Sequence, residues 1–322
     1  MYAPPLSRFE GRRVLQAWRN VYRAAIRKIF GVKRGILALF VALVAAGCGG
    51  GGDVNAVRSK ADYDKKPVKV EQISHDEMFS DITFPSSGGN EATGSIVLPA
   101  HRTGKVPVIL WAHPYGSARS QFAPEAARLA ERGIASIMWD SNMTRFNRAG
   151  VDLQDPVYAS ETFEKLMLQD AVDARKLLDV VEQRPELDSS RIAFVGVDYG
   201  AMLGTILGVS DDRIQAFVLA TSFAEASRYF GQQLVPPESV DGFVKDLSRY
   251  DPVNLIGSVH KPILIQNARR DSLIKPDEYD RLDDAADGAE VKWYDSDHQL
   301  VVEAEDDRDA WLAKELGVAS TR

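Results

Sequence analysis

Residues Gly196-Val197-Asp198-Tyr199-Gly200 stand between an apolar run, Arg191-Ile192-Ala193-Phe194-Val195, and a small-residue run, Ala201-Met202-Leu203-Gly204-Thr205. Strand, Gly-x-nucleophile-x-Gly, helix is the layout of a nucleophile elbow. The turn is so sharp that a side chain at either flank would strike the neighbouring strand or helix, which accounts for both glycines. A serine is usual at the centre of such a turn; this chain has Asp198. A serine must give up a proton before it attacks. A carboxylate needs no such step. On an sp3 carbon it forms an ester that activated water can cleave; on an ester carbonyl it forms an acyl anhydride.

Two more residues fit the same chemistry. Asp271 lies in Arg270-Asp271-Ser272-Leu273-Ile274-Lys275-Pro276, after the apolar run 263–266. His298 ends Tyr294-Asp295-Ser296-Asp297-His298, after the run 290–294. An imidazole fixed by a carboxylate is a general base for water. The roles expected are Asp198 as nucleophile, His298 as base, and Asp271 as the group that orients His298. Of the other histidines, His75, His101, His113 and His260, only His113 also follows a buried type of strand, and it suits turn-fixing and packing. Each residue also has a structural reading. Asp is a good helix N-cap, so Asp198 could simply cap the helix that follows. Asp271 could be a solvated acid beside Arg269 and Arg270, and His298 a surface histidine beside Asp297. Asp295, Asp297 and His298 fit acidic surface composition better than a metal site. Trp111 and Trp139 lie in buried runs and suit a core. No metal or cofactor is implied.

The elements needed to position these residues are legible from hydrophobic periodicity. Strands are expected at 79–84 and 92–98 with a turn at 86–90, then at 106–112, 134–139, 191–195, 214–220, 262–266 and 290–294. The central runs are nearly continuous in apolar residues, as in strands buried on both faces. Helical periodicity marks 121–132, 162–182 and 306–316. The alternation implies an α/β fold, a mostly parallel sheet with helices on both faces and the early hairpin as an antiparallel edge. In such sheets the active residues sit on loops at the carboxyl ends of strands. Asp198, Asp271 and His298 all fall in such loops.

The segments Ala112-His113-Pro114-Tyr115-Gly116, Asp173-Ala174-Arg175-Lys176-Leu177-Leu178, Arg184-Pro185-Glu186-Leu187-Asp188-Ser189-Ser190-Arg191-Ile192, the elbow, Asp251-Pro252-Val253-Asn254 and the Asp271 and His298 loops together resemble α/β-hydrolases of the dienelactone-hydrolase and prolyl-oligopeptidase-like kind. The resemblance covers roughly residues 70–320 and the chain order nucleophile, acid, histidine. It implies hydrolysis of ester, thioester or peptide bonds through a Ser or Cys, from which Asp198 departs. It also implies an oxyanion hole of backbone N–H groups. Pro114 has none, so Tyr115 and Tyr199 are the expected donors. Haloalkane dehalogenases and epoxide hydrolases of this fold use an Asp nucleophile. They carry a sizeable helical cap, whereas residues 224–261 are too short for a full one, and they usually place Trp where this chain has Tyr199. The expectation is little or no cap domain. The function expected is hydrolysis of a small-molecule substrate at ester-like or carbon–heteroatom bonds; the alternative is a non-catalytic binding or scaffold lipoprotein.

Composition bounds the rest. The chain has 322 residues, 45% hydrophobic and 26% charged, enough for one large core. Residues 1–35 carry nine Lys or Arg against Glu10 alone. An uncharged apolar run, 36–46, leads to Gly47-Cys48-Gly49. A basic region, a short apolar run and small residues describe an export signal over 1–47. The run falls short of the ~20 residues of a spanning helix. Small residues before the single cysteine resemble a lipobox, so Cys48 is the expected lipidation site of an extracytoplasmic, membrane-anchored lipoprotein. Residues 48–66 then read as lipidated Cys and flexible tether, and 67–322 as the α/β-hydrolase domain. One cysteine excludes a disulfide framework. Removing 1–47 takes away nine positive charges and one negative, so the net charge moves from −7 to −15. Such an acidic body argues against nucleic acid and against direct binding to anionic lipid. The oligomeric state is open.

Overall fold

The computed structural model describes residues 53–75, 78–144 and 155–318. The export-signal, Cys48 and glycine-linker expectations fall on residues outside these. Among the described residues no helix is long and apolar enough to cross a membrane.

Nine strands form one sheet in the order β1-β2-β3-β5-β4-β6-β7-β8-β9. They are β1 Glu71–His75, β2 Phe79–Pro85, β3 Glu91–Val97, β4 Val106–Ala112, β5 Ala135–Trp139, β6 Leu187–Val197, β7 Ala216–Ala220, β8 Ile263–Ala268 and β9 Glu290–Tyr294. Pairs from β1 through β3 to β5 are antiparallel; the six strands from β5 to β9 run parallel. The helices are α1 Val54–Lys60, α2 Ala123–Glu131, α3 Pro156–Gln183, α4 Tyr199–Ser210, α5 Ala226–Leu234, α6 Val240–Leu247, α7 Pro252–Leu255, α8 Pro276–Ala285 and α9 Val302–Glu315.

The central strands are apolar at consecutive positions because both faces are covered. In β4, Val108, Leu110 and Ala112 join the core under α3 and α4, while Ile109 and Trp111 join the core under α2 and α9. The strand period of two thus feeds two cores. Across the second, Arg308 of α9 donates to both carboxylate oxygens of buried Glu125 of α2, each at 2.8 Å, and to Gln266 of β8.

Residues 224–261 form α5, α6, α7 and three short 3-10 turns. This insert is small, and Phe163 of α3 pins it through Phe230 and Phe243, at 5.1 and 5.6 Å between ring centres. Sequence periodicity missed it, because its helices are only one to three turns long.

The expected tether is shorter than 48–66. Asp53 caps α1, whose Val57 is fully buried with neighbouring Ala61. Beyond it, Tyr63 donates to Asp179, and Arg175 lies 4.8 Å over the Tyr63 ring while donating to the Ala61 carbonyl. Polar composition hid two apolar anchors and one aromatic one. A charge at Val57 would have to be desolvated, at a cost of about 3 kcal/mol. Val57→Asp is expected to lower the melting temperature by roughly 6–12 °C in calorimetry. An unchanged melting temperature would mean the segment is a free tether after all.

Candidate active site

β6 runs straight into α4, and Asp198 makes the turn with φ 56° and ψ −116°. A side chain seldom adopts a positive φ, so neighbouring contacts must impose it. The flanking glycines show what those contacts are. A Cβ on Gly196 would lie 2.1 Å from the Gly200 carbonyl oxygen, and one on Gly200 would lie 2.1 Å from the Ala112 carbonyl oxygen. The elbow is therefore wedged against the end of β4. The Asp198 N–H donates to Ala220 at the end of β7, 3.0 Å. The residue as a whole is left 7% exposed at the carboxyl end of the sheet.

The loops after β8 and β9 are tied to each other. Arg269 N–H donates to the Tyr294 carbonyl and Arg270 N–H to the Ser296 carbonyl, both at 2.9 Å. That pairing brings Asp271 and His298 side by side. His298 Nδ1 lies 2.8 Å from Asp271 Oδ2, and His298 Nε2 lies 3.2 Å from Asp198 Oδ2. Asp271 accepts three further hydrogen bonds, from the Leu273 N–H at 2.8 Å, the Ile274 N–H at 3.0 Å and the Tyr279 hydroxyl at 2.6 Å. Burial works against its charge, but these donors together with His298 hold its carboxyl below the ordinary range. Burial also opposes a charge on His298; hydrogen bonds to Asp198 and Asp271 outweigh it and push the imidazole up to about 9. The geometry says the same. A neutral imidazole donates from one nitrogen only, whereas both ring nitrogens here face carboxylates.

The structure thus brings together the three residues that the sequence singled out. The expected oxyanion donors behave differently. Tyr199 N–H donates to Oδ1 of Asp198 itself, so its donor is committed to the carboxylate. Tyr115 is half-buried in the loop after β4, its ring 5.3 Å from Phe230. His113 is buried and fixes the turn, with Nδ1 2.8 Å from the Pro114 carbonyl and Nε2 accepting the Ser141 N–H at 3.1 Å. Burial lowers its pKa and keeps it neutral. Asp295 pairs with Arg270, and Asp297 accepts the Gln299 N–H.

The fold has many relatives among solved structures. An acetyl xylan esterase from a Thermoanaerobacterium species matches with a TM-score of 0.64 at 16% identity, over 82% of this chain and 93% of that one. An acetyl xylan esterase from a Paenibacillus species matches at 0.63 and 20%, over 81% and 92%. A putative dienelactone hydrolase from Klebsiella pneumoniae matches at 0.57 and 16%, over 74% and 98%. The chain has the α/β-hydrolase fold. No protein-family model matches it, and no curated protein matches it.

Three residues around this site escaped sequence reasoning. Tyr279 of α8 supports Asp271 directly. Phe223 lies 6.1 Å from the His298 ring, and Tyr229 of α5 stacks on Phe223 at 4.0 Å with 21° between ring planes. Burial and then the charges of Asp198 and Asp271 hold the Tyr229 phenol above its ordinary pKa. Only the aromatic spacing within 223–230 hinted at a wall. A fourth group lies deeper. Asp170 of α3, fully buried and pushed up to about 6 by burial, accepts from the Tyr199 hydroxyl at 2.9 Å, the Asn142 N–H at 2.5 Å and the Ser141 hydroxyl. Tyr199 and the Ser141 partner of His113 are thereby held by one acid.

Because the folded pKa of His298 lies above the unfolded value of about 6.5, its pairing favours folding fully below that pH. The contribution is lost as pH rises through about 9. Imidazole resonances should titrate near 9 in the folded protein, and Asp271→Asn should move the midpoint down by at least about one unit. A midpoint near 6.5 in the unaltered protein would contradict the ion triad. Gly200→Ala should cost more than about 3 kcal/mol, read by denaturant unfolding, because backbone rather than a flexible side chain blocks the new Cβ.

Proposed function

We propose that the chain is a hydrolase acting through Asp198, His298 and Asp271, on substrates whose reacting centre is an sp3 carbon bonded to a heteroatom. The observation that carries this reading is His298 held between two carboxylates, with Asp198 Oδ2 on Nε2 and Oδ1 on the Tyr199 N–H. An attack on an ester carbonyl needs a free N–H for the oxyanion of the substrate. Here the elbow N–H already serves the enzyme's own carboxylate. An attack on an sp3 carbon builds no such oxyanion.

In the first step Asp198 Oδ2 bonds to carbon and the heteroatom leaves with the electron pair. Esterification removes the Asp198 charge, one of the two that keep His298 protonated. The imidazole then releases its proton to the leaving group or solvent and becomes a base, which it is not at rest. It takes a proton from water, and hydroxide adds to the Asp198 carbonyl carbon. The negative charge develops on Oδ1, where the Tyr199 N–H already points. Collapse frees an alcohol and restores the carboxylate. Asp271 keeps the imidazole oriented throughout and stabilises it whenever it carries the proton. Under this reading Tyr199 supplies an oxyanion donor, as the sequence suggests, but to the protein's ester rather than to the substrate. Its location follows from the N-terminal sequence: an extracytoplasmic lipoprotein held to the membrane through Cys48.

A single turnover in 18O-labelled water across haloalkanes and epoxides tests the reading. Label is expected in the peptide containing Asp198 and not in the first alcohol released. His298→Gln should leave a stable adduct on Asp198, seen as a mass increase. Label in the first alcohol would sink the covalent step. A second reading, a non-catalytic envelope scaffold, is favoured by one observation: the Asp198 carboxylate caps α4 in the manner of a structural N-cap. An enzyme with no adduct in His298→Gln and no turnover on any of these classes, esters included, would fit that reading instead.

A further inference from the structure

A continuous run of aromatic rings borders the reacting groups. Phe223 lies beside His298; Tyr229 stacks on Phe223; Phe230 meets Tyr229 at 5.3 Å, Tyr115 at 5.3 Å and Tyr199 at 6.3 Å. Phe223 and Phe230 are fully buried and supply the backing. Tyr115 and Tyr229 are half-buried, so the run presents ring surface to solvent where Asp198 and His298 are also reachable. The chain next to the site residues also carries exposed apolar side chains. Leu273, two residues after Asp271, and Val301 and Val302, just after His298, are exposed at 44%, 39% and 68%.

Charge sets the second constraint. Two carboxylates and one imidazolium leave the site with one net negative charge. Among the described residues no Lys or Arg is paired with Asp198 or Asp271. Of the cations near the site loops, Arg270 pairs with Asp295, Arg281 with Glu225, and Arg269 lies over the Trp293 ring, while Lys275 is exposed at the start of α8. The rest of the body is acidic too, with a net charge of −15 once residues 1–47 are set aside. An anionic substrate would meet repulsion from Asp198 and Asp271, to which no Lys or Arg is paired among the described residues, in a half-buried setting that screens poorly.

We infer that the site selects an uncharged, flat, apolar substrate and rejects anionic ones, with Tyr229 as the ring on which the substrate stacks. This selectivity rests on the reading of Asp198, His298 and Asp271 given above, but binding alone can test it. The phenol of Tyr229 has no hydrogen-bond partner among the described residues, so it is also free to donate to a polar atom at the edge of a stacked ring.

The test uses benzyl alcohol and benzoate, matched in ring and size, with dissociation constants read from shifts of the His298 imidazole signals in the full domain. Benzyl alcohol is expected to bind at least about tenfold more tightly than benzoate. Asp198→Asn, which removes one negative charge, should narrow that gap by about tenfold. Tyr229→Leu, which keeps an apolar side chain and loses the ring, should weaken benzyl alcohol by about three- to tenfold; Tyr229→Phe should not. Equal binding of the two probes, or a Tyr229→Leu variant that folds and binds benzyl alcohol unchanged, overturns the inference. The two proposals fail separately. Preferential binding of benzyl alcohol with no adduct on Asp198 supports the selectivity and defeats the covalent mechanism; an adduct on Asp198 with equal binding of the probes does the reverse.

Discussion

His298 has a carboxylate on each ring nitrogen, 2.8 Å away on one side and 3.2 Å on the other. Three loops must converge for that to happen, those after β6, β8 and β9. They lie on three parallel strands separated by one or two places in the sheet, so their carboxyl ends open on the same edge. The sheet sets the spacing, and the 269–296 backbone bonds set the fine alignment of the last two loops. Breaking one side of the triad would leave a half-buried charge without its partner, which costs more than the pair contributes. The site is therefore bound into the stability of the fold rather than laid over it.

The elbow supplies the other half of the geometry. Gly196 and Gly200 permit a backbone approach that no side chain allows, and the approach forces Asp198 into positive φ. That conformation points the carboxylate out of the sheet while its own helix N-terminus lies beside it. One oxygen takes the first N–H of α4 and the other takes His298. A serine in the same place has one oxygen and could not do both. Asp170 adds a buried support, binding the Tyr199 hydroxyl from below and the Ser141–Asn142 turn from the side. The loop carrying His113 and the elbow are thus tied together through Asp170.

The parallel strands and the three reacting residues were legible because their signals are local: apolar runs, a Gly-x-Asp-x-Gly turn, acids and a histidine just past strand ends. What escaped were features set by distant partners. Val57, Ala61 and Tyr63 sit in a polar stretch whose composition reads as linker, yet each finds a buried or ionic partner more than a hundred residues away. Residues 71–74 of β1 are exposed and the strand pairs with β2 alone among the described residues, so it shows little alternation. Tyr229 belongs to the insert, and Phe223 directly precedes it, where helices of one to three turns are too short for periodicity to speak. Tyr199 was legible as a donor but not as one already occupied, because its acceptor is the residue that replaces the usual serine.

Electrostatics alone explain part of the triad. A carboxylate buried at a helix start is stabilised by any neighbouring cation, so an Asp198–His298 pair would persist even in a protein that had lost its chemistry. A purely structural pair, though, has no use for access to solvent, and it gains from being sealed. Here both members keep a solvent-reachable edge, at 10% and 16% side-chain exposure. Rings border that edge, and one of them, Tyr229, keeps its hydroxyl uncommitted among the described residues. Ring surface and a donor with no protein partner among those residues, beside two carboxylates, are features that a bound molecule would use. The open side of the triad, more than the triad itself, argues for a substrate.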